Sequence, residues 1–103
     1  MPIPLACDMN AIPADERPAH HAIAQRLMSS AAVIRNLPEG LAFQWPASSY
    51  EDVTRFVGYE RRCCPFLTIS ITASTGGGPL DVRLTGPEGT TAFLRAELRL
   101  PPT

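Results

Sequence analysis

Two adjacent cysteines, Cys63 and Cys64, stand directly before Pro65 and carry most of the distinctive chemistry of this chain. A disulfide between sequence neighbours closes a small, strained ring and removes almost no entropy from the unfolded chain, so the pair does not suit a structural cross-link. Two thiols at a chain corner instead favour joint binding of a soft ion or reversible oxidation. The alternative is that both are small apolar side chains that pack in the core, where free cysteine is common.

Cys7 is the third cysteine and lies in residues 1–16, an irregular segment that we call the leader. Thiolates select soft ions, so mercury(II) or arsenic(III) is favoured over zinc or copper(I). Because sequence neighbours cannot easily lie on opposite sides of one ion, a linear mercury site would use Cys7 and one of the pair. A pyramidal three-sulfur site would use Cys7, Cys63 and Cys64 together. Otherwise Cys7 is a loosely packed N-terminal thiol.

A carboxylate belongs beside the thiols if residues 50–63 form a helix. The core-facing stripe of that helix consists of Tyr50, Val53, Phe56, Val57 and Glu60. Glu60 then lies one turn before the cysteines, where it could orient or deprotonate a thiol or ligate a metal as a minor partner. In an enzyme, Glu60 or Asp8 would be the catalytic acid. The alternative for Glu60 is an ordinary ion pair with an arginine from another element.

His20 and Arg62 are candidates for the surroundings of the site. His20 lies on the apolar stripe of a predicted first helix, whereas His21 faces outward, and a single core-facing histidine is either a packing residue or a ligand. Arg61 and Arg62 fall off the stripe of the second helix and are expected to be solvated. A cation beside Cys63 would nevertheless lower the pKa of that thiol, which makes Arg62 a candidate activator.

Composition and charge limit the classes of protein in which this chemistry can occur. The chain has 103 residues, of which 45% are hydrophobic, which predicts one domain over residues 1–103. A net charge of -1, with nine arginines against ten carboxylates, does not favour nucleic-acid binding. Apolar runs are too short to span a membrane, and no cationic start or hydrophobic stretch precedes Cys7. We therefore expect a cytoplasmic protein that requires no cofactor. In that compartment, a few closely spaced cysteines indicate metal binding or redox chemistry more often than structural disulfides.

Apolar periodicity predicts three helices and three or four strands. Spacing of three and four residues predicts the first helix over 18–35, and alternation predicts a strand over 41–45. The capping-box spacing of Ser48 and Glu51 opens the second helix, which Pro65 ends.

Residues 67–73 and 80–84 alternate around a glycine-rich turn and predict a hairpin, and residues 86–98 predict the third helix. The segment around Cys7 could add an edge strand. Helices on one face of a small, mainly antiparallel sheet give a two-layer α+β domain. The outer sheet face is either solvated or pairs with a second copy to form a homodimer. It carries Gln44, Thr68, Ser70, Thr72 and Arg83.

The run from Glu60 to Leu67 contains a Glu-Arg-x-Cys-Cys-Pro-Phe motif. With residues 7–12, 16–20 and 84–89, it resembles a family of small bacterial proteins associated with heavy-metal and metalloid resistance genes. The likeness covers almost the whole chain. It implies that Cys7, Cys63, Cys64 and Glu60 act together, and it implies no particular mechanism.

Four functions remain open. The leading hypothesis is a soft-metal or metalloid-binding protein. The second is a lyase that cleaves carbon–metal bonds, in which two thiols hold the metal and a carboxylic acid protonates the departing carbon, as in organomercurial lyases. The third is thiol redox, because residues 64–66 look like the start of a glutaredoxin site, although Leu67 stands where that site has its second cysteine. The fourth is an interaction domain whose cysteines only pack.

The two neighbouring thiols are expected to differ in reactivity. Cys63 falls in the last turn of the predicted helix, where the negative end of the macrodipole disfavours a thiolate. Pro65 forces Cys64 out of helical geometry, so Cys64 feels that field less. We therefore predict that Cys64 is the more reactive of the pair.

Overall fold

The computed structural model describes residues 5–101. Its main elements are α1 (Arg17–Ser30), β1 (Val33–Leu37), β2 (Gly40–Trp45), α2 (Tyr50–Cys63), β3 (Thr68–Ala73), β4 (Leu80–Thr85) and α3 (Thr90–Glu97). Short 3-10 turns at Met9–Ala11 and Ala14–Glu16 precede α1. The predicted leader and single domain extend beyond this range, and residues 1–4 and 102–103 lie outside the described residues.

The four strands form one antiparallel sheet in the order β1-β2-β4-β3. Burial alternates along β4, where Leu80, Val82 and Leu84 are buried and Arg83 is exposed, as expected for a sheet with one wet face. Side chains from all three helices join the sheet residues in one core: Ile23, Leu27, Val53, Phe56 and Leu94. The predicted α+β class, with three helices and an antiparallel sheet, is confirmed.

The predicted first helix is wrong at its C-terminal end. α1 ends at Ser30, and residues 33–37 form β1, which pairs with β2 from Val33 opposite Gln44 to Leu37 opposite Gly40. Val33 and Ile34 are β-branched residues that favour strands, and pairing with β2 satisfies their backbone groups. The apolar spacing of residues 33–37 fits a helix as well as a strand, and pairing with β2 makes this segment a strand.

Two further local predictions are wrong. The segment around Cys7 forms no strand, because the Asp8 carboxylate accepts a hydrogen bond from the Asn10 amide at 2.9 Å and caps a 3-10 turn there. The predicted capping box at the start of α2 is also absent. A 3-10 turn at Ala47–Ser49 leads into the helix, and its N-cap residue Ser49 makes no side-chain cap.

The outer sheet face is polar where the structure describes it. Thr68, Ser70, Thr72 and Arg83 are exposed, and Gln44 is half-buried. Pairing of this face with a second copy stays a prediction. None of the helices in residues 5–101 combines the length and apolar character that crossing a bilayer requires.

Candidate thiol and metal site

The end of α2 sets the positions of the paired cysteines. Cys63 is the last helical residue, and Cys64 is the C-cap with φ −121° and ψ 73°. Its amide still donates to the Glu60 carbonyl at 2.8 Å, and Pro65 prevents another helical turn. Cys63 thus stays on the buried face of the helix, one turn after Glu60, and Cys64 turns out of the helix beside it. The predicted helix over 50–63 is confirmed.

The leader brings Cys7 to this helix end. The Asp8 amide donates to the Cys63 carbonyl at 2.6 Å, which satisfies a carbonyl that the end of the helix leaves without a partner. Arg17 Nε donates to the Met9 and Ile12 carbonyls, each at 3.1 Å, and fixes the turn that follows Asp8. Of the two alternatives that the sequence leaves open for Cys7, the structure has the one in which Cys7 reaches the pair.

The oxidation state of the cysteines differs from the expectation. Cys7 and Cys64 are joined by a disulfide across 57 residues, so three free thiols are not present together, and Cys63 is the free cysteine of the described chain. The sequence predicted that the cysteines bind a metal or take part in redox chemistry and do not form a structural disulfide. The Cys7–Cys64 bond is not covered by that prediction. The folded leader places one sulfur against another, which sequence spacing alone does not reveal.

The sulfurs and Glu60 form a compact cluster. Cys63 Sγ lies 3.6 Å from Cys64 Sγ, and Glu60 Oε2 lies 3.1 Å from Cys64 Sγ. Cys63 donates its S–H to the same oxygen at 3.7 Å. One ligand atom from each of Cys7, Glu60, Cys63 and Cys64 lies within 4.8 Å of all the others, so this group could hold a metal ion.

Burial controls the chemistry of the free thiol. Cys63 is 1% exposed, and this burial raises the pKa of its thiol to about 12, with the charge on Glu60 and the hydrogen bond to Glu60 adding to the effect. Cys63 is therefore a neutral thiol at neutral pH. Arg62 does not offset the rise in the pKa of Cys63, because its guanidinium is directed at other groups: it lies 5.4 Å from the Tyr59 ring centroid and 4.0 Å from Glu16 Oε1.

His20 lies on the far side of Glu60 from the sulfurs. Its Nε2 is 3.5 Å from Glu60 Oε1, and its ring stacks on Phe56 and meets Tyr59 edge-on. The residue is 8% exposed, yet neither ring nitrogen has a hydrogen-bond partner within residues 5–101. His20 is thus buried as predicted, but it lacks the partners that a packing histidine normally has.

The predicted site residues separate into two groups. Cys7, Cys63, Cys64 and Glu60 come together, and His20 adjoins them through Glu60. Asp8 and Arg62 contribute no side chain to the cluster. Asp8 caps the leader turn, and Arg62 lies over Tyr59 on the outer side of α2.

Sequence reasoning missed a cavity beside the cluster. It measures about 770 Å³ and lies between α1, the end of α2, the leader and residues 97–100. Those C-terminal residues fold back because the Leu100 amide donates to the Arg95 carbonyl at 2.8 Å. The alternation of Leu98 and Leu100 with Arg99 is a signal that this tail packs on the protein, but it does not say where.

No known protein-family model, curated protein or solved structure matches this chain.

Proposed function

We propose that the reduced protein binds one soft metal or metalloid ion through the sulfurs of Cys7, Cys63 and Cys64. The observation that carries the proposal is the cluster of three sulfurs and a buried carboxylate within 4.8 Å. Thiolates select thiophilic ions, so mercury(II) and arsenic(III) are favoured over zinc and copper(I). The resemblance to proteins associated with metal and metalloid resistance supports the same choice.

Binding requires that the Cys7–Cys64 bond is opened first. A dithiol or phosphine reductant supplies two electrons, and with two protons the disulfide becomes two thiols. Arsenous acid then exchanges its three hydroxyl groups for three cysteine sulfurs, and each departing hydroxyl takes one thiol proton and leaves as water. Mercury(II) prefers two opposed sulfurs, which Cys7 and one member of the pair would supply.

Glu60 assists because its carboxylate already accepts the S–H of Cys63. An ion must displace the proton from each thiol, and a thiol with a pKa raised to about 12 gives up its proton reluctantly. A carboxylate beside Cys63 can receive that proton as the sulfur–metal bond forms. Mercury(II) affinity should therefore rise with pH, whereas arsenite exchanges hydroxyl groups for thiols, releases only water and should show no such rise.

The test is titration of phosphine-reduced protein with arsenite and with mercury(II), followed by mass spectrometry and thiol alkylation. We expect one ion per chain, with all three cysteines protected by arsenite. The disulfide form is the matched control and should not bind arsenite, because it has a single thiol. Alkylation that proceeds unchanged in the presence of stoichiometric mercury(II) would contradict the proposal.

A second function, cleavage of carbon–metal bonds, is favoured by the contact of Glu60 Oε2 with both Cys63 Sγ and Cys64 Sγ. With an alkylmercury ion held on two thiolates, a protonated Glu60 would transfer its proton to the carbon. The carbon–mercury bond breaks, the hydrocarbon leaves, and mercury(II) stays on the sulfurs. Hydrocarbon release that is lost in Glu60→Gln and kept in Glu51→Gln would support the lyase, because Glu51 is exposed in the first turn of α2, away from the cluster. Ion binding without hydrocarbon release would rule out the lyase and leave ion binding as the proposed function.

The disulfide itself favours thiol redox as a competing function, since the free Cys63 thiol lies 3.6 Å from one of its sulfurs. A disulfide reductase assay with glutathione separates the two cases. Turnover well above that of Cys64→Ser would favour redox exchange over ion binding.

A further inference from the structure

The cavity beside the sulfur cluster is much larger than an ion needs. A water molecule takes up about 30 Å³ of liquid, and small organic ligands occupy pockets of roughly 300–1,000 Å³. At about 770 Å³, this cavity falls in the second class. The sulfurs of Cys7, Cys63 and Cys64 lie in its wall, so a ligand held by them extends into the open volume.

The wall facing that volume is mixed. Its polar part contains His20, His21, Gln25, Ser29, Glu97 and Arg99, and its apolar part comes from three parts of the chain. The apolar residues are Met9 of the leader, Ala24 and Met28 of α1, and Leu98 and Leu100 after α3. Four of the five, Met9 excepted, also pack against the core cluster, so they are held in place. The apolar part of the wall gains free energy by burying hydrocarbon and gains nothing from a hydrated ion.

His20 gives an independent indication that a ligand enters. It lines the cavity and is more than nine-tenths buried. Its Nε2 faces Glu60 Oε1 at 3.5 Å, but within residues 5–101 neither ring nitrogen makes a hydrogen bond. An unsatisfied buried polar group costs about 1–3 kcal/mol, and native proteins rarely leave one without a reason. A polar group on a ligand at the sulfurs would give a partner to Nδ1, the ring nitrogen that does not face Glu60 and that residues 5–101 leave without one.

We infer that the ligand of this site is a thiophilic metalloid or metal that carries an organic substituent, such as an aryl or alkyl arsenic(III). The inference rests on the proposed ion-binding function and names its substrate class. The sulfurs hold the arsenic, and the substituent fills the cavity between α1 and the C-terminal tail. An organoarsenic dihydroxide exchanges both hydroxyl groups for two cysteine sulfurs and releases two waters, so one of the three thiols stays free.

The experiment compares phenylarsine oxide, methylarsonous acid and arsenite on phosphine-reduced protein. Each affinity is divided by that of the same compound for dithiothreitol, because this removes the intrinsic difference in arsenic–sulfur bonding. We expect the normalised affinity to rise from methyl to phenyl by about tenfold or more, since the phenyl ring buries more apolar surface. Alkylation and mass spectrometry should find one free thiol in the phenylarsine complex.

Matched variants test the cavity itself. Ala24→Phe places a ring in the cavity and should lower the normalised phenylarsine affinity about tenfold relative to the arsenite affinity of the same variant. Ala22→Phe adds the same ring on the exposed side of α1 and should change neither. If Ala24→Phe does not fold, the methyl-to-phenyl series on the unaltered protein decides alone.

The outcomes separate this inference from the function on which it rests. Arsenite binding with equal normalised affinities for all three compounds would overturn the organic-substituent pocket and leave the ion site standing. If no arsenic compound and no mercury(II) binds to reduced protein, both proposals fail.

Discussion

Two charged side chains, Arg95 and Glu60, are buried to nearly the same degree but have very different partners. Arg95 is 7% exposed, and its guanidinium donates to Asn36 Oδ1 and to the Pro101 carbonyl, each at 2.7 Å. Glu60 is 6% exposed, and its carboxylate accepts the S–H of Cys63, lies 3.1 Å from the Cys64 sulfur and faces His20 Nε2 at 3.5 Å. Arg95 joins α3 to β1 and to the C-terminal tail.

The difference separates a structural buried charge from a functional one. A buried charge is costly unless its polar atoms are satisfied. Arg95 has no acidic partner among residues 5–101, but two short hydrogen bonds satisfy its guanidinium, whereas Glu60 has only one S–H donor and a histidine beside it. Within residues 5–101, no arginine lies at ion-pair distance from Glu60, so the predicted alternative of an arginine partner is wrong. An under-partnered carboxylate beside sulfurs and a cavity indicates a site adapted to a ligand.

The largest change in stability should come from reducing the disulfide, which joins the leader to Cys64 beside Glu60. A cross-link across 57 residues restricts the unfolded chain, so its loss should lower the free energy of unfolding by about 4 kcal/mol. Urea unfolding with and without a phosphine reductant measures this. Cys63→Ala keeps the disulfide and should lose the same amount on reduction. Equal stabilities in both redox states would mean that the leader does not depend on its cross-link.

Mutation of Arg95 should cause a smaller loss of stability than reduction of the disulfide and no loss of arsenite binding. Arg95→Leu removes two charge-assisted hydrogen bonds, and because Asn36 and Pro101 are exposed and can turn to water, we expect a loss of about 2 kcal/mol. Urea unfolding measures the loss, and arsenite titration should show unchanged stoichiometry. Arg55→Leu, at an exposed position on α2, is the matched control. A large loss of arsenite binding in Arg95→Leu would remove the distinction between the two buried charges.

Glu60→Gln should do the opposite and change chemistry more than stability. Replacing a poorly partnered carboxylate by a neutral amide should alter the free energy of unfolding by less than about 1 kcal/mol. Because the charge and the hydrogen bond of Glu60 both raise the pKa of Cys63, the variant should alkylate faster at Cys63 near pH 9. Glu51→Gln, at the exposed start of α2, should alkylate as the unaltered protein does. An unchanged Cys63 rate in Glu60→Gln would show that burial alone sets this pKa.

Local patterns in the sequence predict the elements that carry the site. Strict alternation in β4 and the proline after Cys64 give the hairpin and the end of α2 correctly, since burial and backbone geometry act within a few residues there. Residues 31–37 were predicted wrongly because their apolar spacing fits both periods, and pairing with the distant β2 decides between them.

The site itself is predictable only in part for the same reason. Glu60 and the cysteine pair share one helix face, so their proximity follows from helical geometry. Cys7 depends on how an irregular leader packs. The cavity depends on a tail that returns through hydrogen bonds from residues 95 and 100, and nothing local encodes that return. The predicted order of thiol reactivity stays a prediction, because Cys64 is held in the disulfide.

The last prediction changes no residue and tests the environment of Cys63 directly. In the disulfide form, the alkylation rate of Cys63 should rise about tenfold per pH unit from pH 7 to beyond pH 10, because its pKa is raised to about 12 and the thiolate is far from saturated there. An ordinary thiol levels off above about pH 8.5. The reagent is kept dilute so that any local opening recloses faster than the thiol reacts. An opened state with an ordinary thiol then gains population with pH, and the rate follows the same tenfold rise. Timed alkylation of the unreduced protein, with a cysteine-containing peptide as the control, gives both profiles. A plateau near pH 9 would place Cys63 in a polar or solvated setting and would weaken the contrast between Glu60 and Arg95 on which the site assignment rests.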